Sequence, residues 1–299
     1  MLKVVIIGYG SAGRRHARII DENFKNTKIH ILTKQKIKKF TSFKNLNEIK
    51  KINPDYIIVA SETIYHLNQL KYLENNFKNK KILIEKPLFH KSNNLIFKKN
   101  NIFINYNLRF NPYIQKLKKF LDKKSIYDIK LITNSYLPNW RKNISYRKNY
   151  SVEKSKGGGV ILDLSHDIDL IVSLFDKIII NHVSFGKKSN LTRNSEDFLY
   201  LNARSNKVNI SLDINYYSRN ELRLILVDSK NFSLNIDLKN NIFKLSKNNK
   251  FYKITKKYSQ DFTFLKTHEA IISGKNNKSL CKINDGINVL RFIENIKNS

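Results

Sequence analysis

Six residues near the start, Gly8-Tyr9-Gly10-Ser11-Ala12-Gly13, leave few folds open to this chain. They stand between an apolar, β-branched run at residues 3–7 and a helix-patterned run at residues 14–20. In a strand, glycine turn and helix of this spacing, the first Gly permits a tight turn, the second lets backbone approach a pyrophosphate, and the third lets helix and strand pack closely. The helix N-terminus then faces the phosphates. The pattern predicts a Rossmann-type unit, with Gly8, Tyr9, Gly10, Ser11, Ala12 and Gly13 as cofactor contacts. A second strand, residues 28–32, ends in Thr33-Lys34, about where an NAD-binding fold places an acidic residue for the ribose 2′-hydroxyl. A hydroxyl and an ammonium suit a 2′-phosphate better, so Thr33 and Lys34 favour NADP over NAD.

Residues 40–52 carry a helical pattern and residues 55–60 the next strand. Ser61-Glu62-Thr63 then caps a helix running to about residue 75, and Ser61 is a further candidate cofactor contact. His66 on that helix reads as a packing residue rather than a neighbour of the nicotinamide. The run Ile82-Leu83-Ile84-Glu85-Lys86-Pro87-Leu88 is apolar throughout until it meets a carboxylate, an ammonium and a proline. Such a run suits an inner parallel strand. Ligands of open α/β sheets bind beyond the carboxyl ends of those strands, so Glu85 and Lys86 belong to the site. A Lys- and Asn-rich, helix-like segment follows, then a strand at 102–106.

The first domain is expected over residues 1–112 and the second over 113–299. Residues 113–121 read as an amphipathic helix. Strand-like runs follow at 126–137, 178–186, 198–203, 208–217, 222–227, 232–238 and 242–245, predicting an α+β domain with an open, mostly antiparallel sheet. A stripe of Ile287, Leu290, Ile293 and Ile296 marks a C-terminal helix able to pack back on the first domain. Two insertions interrupt the strands. Residues 138–156 hold Trp140, Arg141, Tyr146, Arg147 and Tyr150; residues 157–169 start with three glycines and carry Asp163 and His166, three apart and so on one face of a helix. Arg109, Arg141 and Arg147 can grip a carboxylate or phosphate in bidentate fashion, and Trp140 or Tyr150 can stack on a sugar.

Composition trims the alternatives. The formal charge is +32, but the lysines are spread along the chain with Asn and Ile rather than gathered on one element, so a specific nucleic-acid partner is not expected. Cys281 is the only cysteine, which excludes an internal disulfide and a zinc site built on several thiolates, and no metal is expected. The chain contains no long apolar run and opens directly into a strand, so neither a membrane span nor a secretory signal is expected, and the protein is read as cytoplasmic.

Taken in order, Gly8-x-Gly10-x-x-Gly13-x-x-His16, Glu85-Lys86-Pro87, Tyr106-Asn107-Leu108-Arg109-Phe110 and the triple glycine followed by His166 resemble the glucose-fructose oxidoreductase and inositol dehydrogenase family, Gfo/Idh/MocA. The resemblance covers nearly the whole chain. It implies a Rossmann domain, a second domain whose open sheet face often pairs subunits into a homodimer or homotetramer, and a cis bond before Pro87. It also implies hydride transfer to or from a sugar or nucleotide-sugar carbon with NAD(P), Lys86 touching nicotinamide and substrate, and His166 in the active site to take or give the proton. Many members carry Asp four residues before that His; here the position is Leu162, and the adjacent Asp163 is the candidate to orient the imidazole. Leu137-Pro138-x-Trp140-Arg141, Tyr146-Arg147 and Leu164-Ser165-His166 look like a branch associated with surface-polysaccharide sugars. The three arginines make an anionic substrate the expectation. A non-catalytic dinucleotide sensor of the same fold is the alternative.

Overall fold

The computed structural model describes residues 1–91, 95–121, 125–140, 145–275 and 277–299. The chain divides into two compact units, Met1–Asn111 with Ser259–Leu290, and Pro112–Tyr258 with Arg291–Ser299. Where the sequence reading drew one boundary after residue 112, the chain crosses three times.

In the first unit, the strand β1 (Leu2–Ile7) leads through the glycine turn into α1 (Ser11–Asn23). Next come β2 (Thr27–Leu32), β3 (Thr41–Phe43), α2 (Ile49–Ile52), β4 (Tyr56–Val59), α3 (Thr63–Asn76), β5 (Lys81–Ile84) and β6 (Asn101–Ile104). These strands lie parallel in the order β6-β5-β4-β1-β2-β3, and a short antiparallel strand, Cys281–Lys282, extends the β6 edge. The chain grows outward from β1 on one side and then returns to its other side, so the order reverses between β1 and β4. All the parallel strands therefore present their carboxyl ends at one edge, with the crevice of the reversal at its centre. The inner strands are buried on both faces, which explains why their sequences lack alternation.

Two expectations fail here. The helix expected over residues 40–52 is the edge strand β3, a 3-10 turn and the single turn α2, because Asn45 and Glu48 close a capping box that starts a helix only there. The helix-like segment after Leu88 is not helical at residues 95–100, whose backbone amides at Lys98 and Lys99 bond instead to the Glu74 carboxylate. The helix Gln260–Ser273, which sequence inspection passed over, lies beside α1 and contributes Ala270 and Ile271 to a core with Val4, Ile6, Ala17, Ile20, Ile58 and Leu83.

The second unit opens with α4 (Pro112–Phe120) and β7 (Ile126–Tyr136), then α5 (Val160–Asp163), α6 (Ser165–Leu174), β8 (Ile179–Gly186), β9 (Phe198–Ser205) and β10 (Val208–Asn215). The meander β11 (Tyr217–Ser229), β12 (Ser233–Asp237), β13 (Ile242–Lys247) and β14 (Lys250–Thr255) completes it. Among the described residues the sheet order is β14-β13-β12-β11-β7-β10-β9-β8, antiparallel except for the parallel pair β7 and β10. One face packs against helices, as where α5 lies on β9 and β10. The other is open, and along β9 it presents Tyr200, Asn202 and Arg204. β14 is exposed along its whole length, so no inside-outside alternation marked it in the sequence.

Candidate active site

In the first unit the glycine turn is held by sterics. Gly8 has φ +96°, a conformation costly for any residue with a Cβ, and a Cβ there would lie 2.7 Å from the Ala60 carbonyl oxygen. A Cβ on Gly13 would strike the Gly8 carbonyl. Beside Gly10 there is open space, with nothing within 4 Å of a built Cβ, and no side chain caps the N-terminus of α1. Those first-turn amides, open space and the positive end of a thirteen-residue helix fit the pyrophosphate of a dinucleotide.

Thr33 and Lys34 follow β2, and no carboxylate stands at residues 33–36. Two neighbours missed in the sequence join them. Arg14 donates from Nη2 to Gln35 Oε1 at 2.8 Å and from Nε to the Tyr9 carbonyl at 3.2 Å, with its guanidinium over the Tyr9 ring. Thus the end of β2 carries two cations and a hydroxyl. Ser61 donates to Gln69 Oε1 at 2.6 Å and does not cap α3, whose N-cap is Glu62 without a side-chain bond. His66 is fully buried, with Nδ1 3.1 Å from the Pro87 carbonyl and Nε2 3.1 Å from the Ser61 carbonyl, so it ties two turns of the sheet edge together. Burial holds its pKa below the usual histidine range.

Glu85 and Lys86 emerge from β5 at the same edge, and the Lys86–Pro87 peptide is cis, as the resemblance implied. Glu85 Oε1 takes hydrogen bonds from His16 Nε2 at 2.9 Å and Asn105 Nδ2 at 2.6 Å, and Oε2 takes the Lys86 amide at 3.2 Å. Burial works against its charge, but the hydrogen bond and charge of His16, then Asn105 and Lys86, hold the carboxyl below the usual carboxylate range. Arg109 belongs to this unit as well. It is 4% exposed and pairs through Nη1 with Asp285 Oδ2 at 3.3 Å, so its charge is taken up within the unit.

In the second unit the triple glycine is a packing device. Gly157 ends a 3-10 turn at φ +76°, and a Cβ on Gly158 would clash with the carbonyls of Tyr150, Ser151 and Glu153. Gly159, at φ +119°, faces the Glu196 carboxylate, which pairs with Lys297 at 3.2 Å. This close seating lays residues 150–153 against α5. Asp163 and His166 are not on one continuous helix: α5 stops at Asp163, Leu164 sits at φ −96° and ψ 22°, and α6 restarts at Ser165. Asp163 is 4% exposed, with Oδ1 accepting from the Tyr150 hydroxyl at 2.7 Å and Oδ2 from the Tyr216 hydroxyl at 2.5 Å. Trp140 meets the Tyr216 ring edge-on at 5.1 Å. Trp140, Tyr150 and Asp163 therefore form one cluster about Tyr216, a residue not singled out in the sequence. His166 lies one turn on, half-buried. Arg147 is exposed, with its guanidinium 5.9 Å from the Tyr146 ring centre, and Arg141 lies outside the described residues.

Among the described residues no group of His, Cys, Asp and Glu is arranged to hold a metal ion, and no helix is long and apolar enough to cross a membrane. Residues 2–95 match the GFO_IDH_MocA family model, described as an oxidoreductase family with an NAD-binding Rossmann fold. No curated protein matches in sequence. Three similar solved structures are UDP-N-acetylglucosamine 3-dehydrogenase GnnA from Acidithiobacillus ferrooxidans (16% identity, TM-score 0.77, covering 99% of this chain and 97% of that one), the WlbA dehydrogenase from Bordetella pertussis in complex with NADH and UDP-GlcNAcA (14%, 0.78, 100% and 95%), and the dehydrogenase MviM from Clostridium difficile (17%, 0.73, 99% and 99%). At these identities the likeness is one of fold.

Proposed function

We infer that this chain, whose Rossmann domain is that of the Gfo/Idh/MocA oxidoreductases, moves a hydride between NADP and a carbinol or keto carbon of a sugar or nucleotide-sugar. The observation that carries this reading is the juxtaposition, on one sheet edge, of a glycine cradle open at Gly10 and the Glu85-Lys86-Pro87 turn. The nicotinamide group supplies the hydride chemistry when bound. The amides around Gly10 would hold the pyrophosphate, and Thr33, Lys34 and Arg14 would hold the 2′-phosphate. Lys86 would donate to the reacting oxygen and stabilise alkoxide character as it develops. His166, whose imidazole can both accept and donate a proton, would take or give the hydroxyl proton. Asp163, engaged by two tyrosines, would act by shaping the surroundings of His166 rather than by exchanging protons itself.

The substrate class rests on two of the solved structures, whose names carry UDP-sugars, and on the exposed guanidinium of Arg147. An anionic nucleotide-sugar, or a uronate, fits both. Pairing of two copies across the open sheet face and a cytoplasmic location complete the reading. The test is direct: titrate NADPH and NADH by fluorescence, then add UDP-N-acetylglucosamine and its uronate with each oxidised cofactor and follow nicotinamide absorbance. Turnover of either nucleotide-sugar is expected. Tight cofactor binding with no turnover of any sugar would instead favour the dinucleotide sensor.

A further inference from the structure

Beneath the Glu85 carboxylate runs a polar chain that the proposed chemistry does not use. Tyr56 on β4, His268 on the helix Gln260–Ser273 and His16 on α1 are all 0% exposed, and all lie in the first unit. The Tyr56 hydroxyl is 2.9 Å from His268 Nδ1, His268 Nε2 is 3.0 Å from His16 Nδ1, and His16 Nε2 is 2.9 Å from Glu85 Oε1. Each link fixes the next. An ionised Glu85 requires N–H at His16 Nε2; with His16 neutral, its Nδ1 accepts from His268 Nε2–H, and His268 Nδ1 then accepts from the Tyr56 hydroxyl. All three hydrogen bonds then close with both imidazoles neutral. Burial holds His268 well below the usual histidine range, which agrees with a neutral His268.

Among the described residues the chain ends at the fully buried Tyr56 hydroxyl, so it is not a conduit for protons to solvent. Its one open end is the carboxylate whose other oxygen binds the Lys86 amide. Filling such a space with apolar side chains is the cheaper way to build a core, since buried polar groups must all be partnered. What two imidazoles add is direction: they fix one carboxylate oxygen from α1, while Asn105 fixes it from the end of β6.

We propose that His16, buttressed by His268, is a positioning residue for Lys86, clamping the Glu85 carboxylate so that it holds the Lys86 amide in place and stands as fixed counter-charge beside the ammonium. The proposal rests on the reading of Lys86 as the group that meets the reacting oxygen. It deepens that reading by giving a second, distant segment of the chain a share in the site's geometry.

The experiment compares wild type, His16→Leu and His16→Gln in full-length protein, measuring kcat, KM and the NADPH dissociation constant, with nitrogen NMR of histidine-labelled wild type. Small misplacements of a catalytic group are expensive, so His16→Leu is expected to lower kcat by about 10- to 100-fold. The NADPH dissociation constant should move by less than about threefold, because the phosphate cradle is untouched. His16→Gln, which keeps an N–H for Glu85, should recover much of the lost kcat. Nitrogen spectra at neutral pH should show a proton on His16 Nε2, the donor to Glu85, and a neutral His268. Wild-type kcat in His16→Leu, cofactor affinity falling in step with kcat, or no recovery in His16→Gln overturns the proposal. A wild type that turns over no sugar defeats the functional reading instead; the spectra then still decide the relay, and a proton on His16 Nδ1 alone refutes it.

Discussion

Replacing Tyr216 by phenylalanine tests whether Asp163 is an anchor of the second unit. The substitution keeps the ring that meets Trp140 and removes only the hydroxyl that donates to Asp163 Oδ2 at 2.5 Å. A hydrogen bond to a charged group contributes about 1.5–3 kcal/mol, and an acceptor left unsatisfied in the interior adds its desolvation penalty. Asp163 is 4% exposed, so water replaces the lost donor poorly, and the upper part of that range applies. We expect Tyr216→Phe to cost about 2–3 kcal/mol, which for a domain of this size lowers Tm by roughly 4–12 °C. Tyr150 is half-buried and its bond to Oδ1 is 2.7 Å long. Water can reach the gap it leaves, so Tyr150→Phe should cost about half as much or less. Urea unfolding followed by circular dichroism, together with thermal melts, measures both. A Tyr216→Phe protein within about 0.5 kcal/mol of wild type, or a Tyr150→Phe protein less stable than it, would refute the anchor argument.

Other expectations follow from the first unit. Lys86→Ala should abolish turnover while NADPH affinity stays within about tenfold, because the cradle lies at residues 8–13; stopped-flow hydride transfer and a separate titration check this, and normal turnover would remove Lys86 from the site. NADP should bind more tightly than NAD, and Lys34→Glu should narrow or reverse that preference; equal affinities in wild type would refute the assignment of Thr33, Lys34 and Arg14. Gly13→Ala should weaken cofactor binding by more than about tenfold, since its Cβ strikes the Gly8 carbonyl, and an unchanged dissociation constant would show that the turn yields. Because burial depresses His268 and His66, protons bind the unfolded chain more readily than the folded one. Stability should therefore be complete above about pH 6.5 and fall as pH drops through that value, by up to roughly 1.4 kcal/mol per pH unit for each such group. A flat profile between about pH 6.5 and 5 would contradict this.

The sequence disclosed those parts of the molecule whose physics is local. Strand, glycine turn and helix are read from consecutive residues because backbone conformation and close approach act within the turn itself, and the apolar run before Glu85 announces an inner strand for the same reason. Partnership across the chain left weaker marks. His16 was visible as part of a motif, but nothing near it names His268 as its partner 252 residues away. Arg109 was read as an anion contact with no sign of Asp285, its partner 176 residues further on. The spacing of Asp163 and His166 assumed an unbroken helix; Leu164 breaks it, and no Gly or Pro flags the break. Arg14 was overlooked because it sits inside the helix that the glycine motif explains, although its side chain reaches back to Gln35.

The three crossings between units have a consequence for how the protein is made. Ribosomes deliver residues in order, yet the Rossmann unit is unfinished until Ser259–Leu290 emerge, long after Asn111. At about 5–20 residues per second that interval lasts on the order of ten seconds. During it the nascent first unit lacks Ala270 and Ile271 from its core, and His16 and Tyr56 stand without the imidazole that joins them. The second unit, whose meander from Tyr217 to Thr255 is contiguous, meets no such delay over those strands. Both units take a late segment, the second its closing Arg291–Ser299, but the nucleotide-binding half, translated first, waits longest, and a polypeptide stopped near residue 112 would expose an apolar flank suited to chaperone capture.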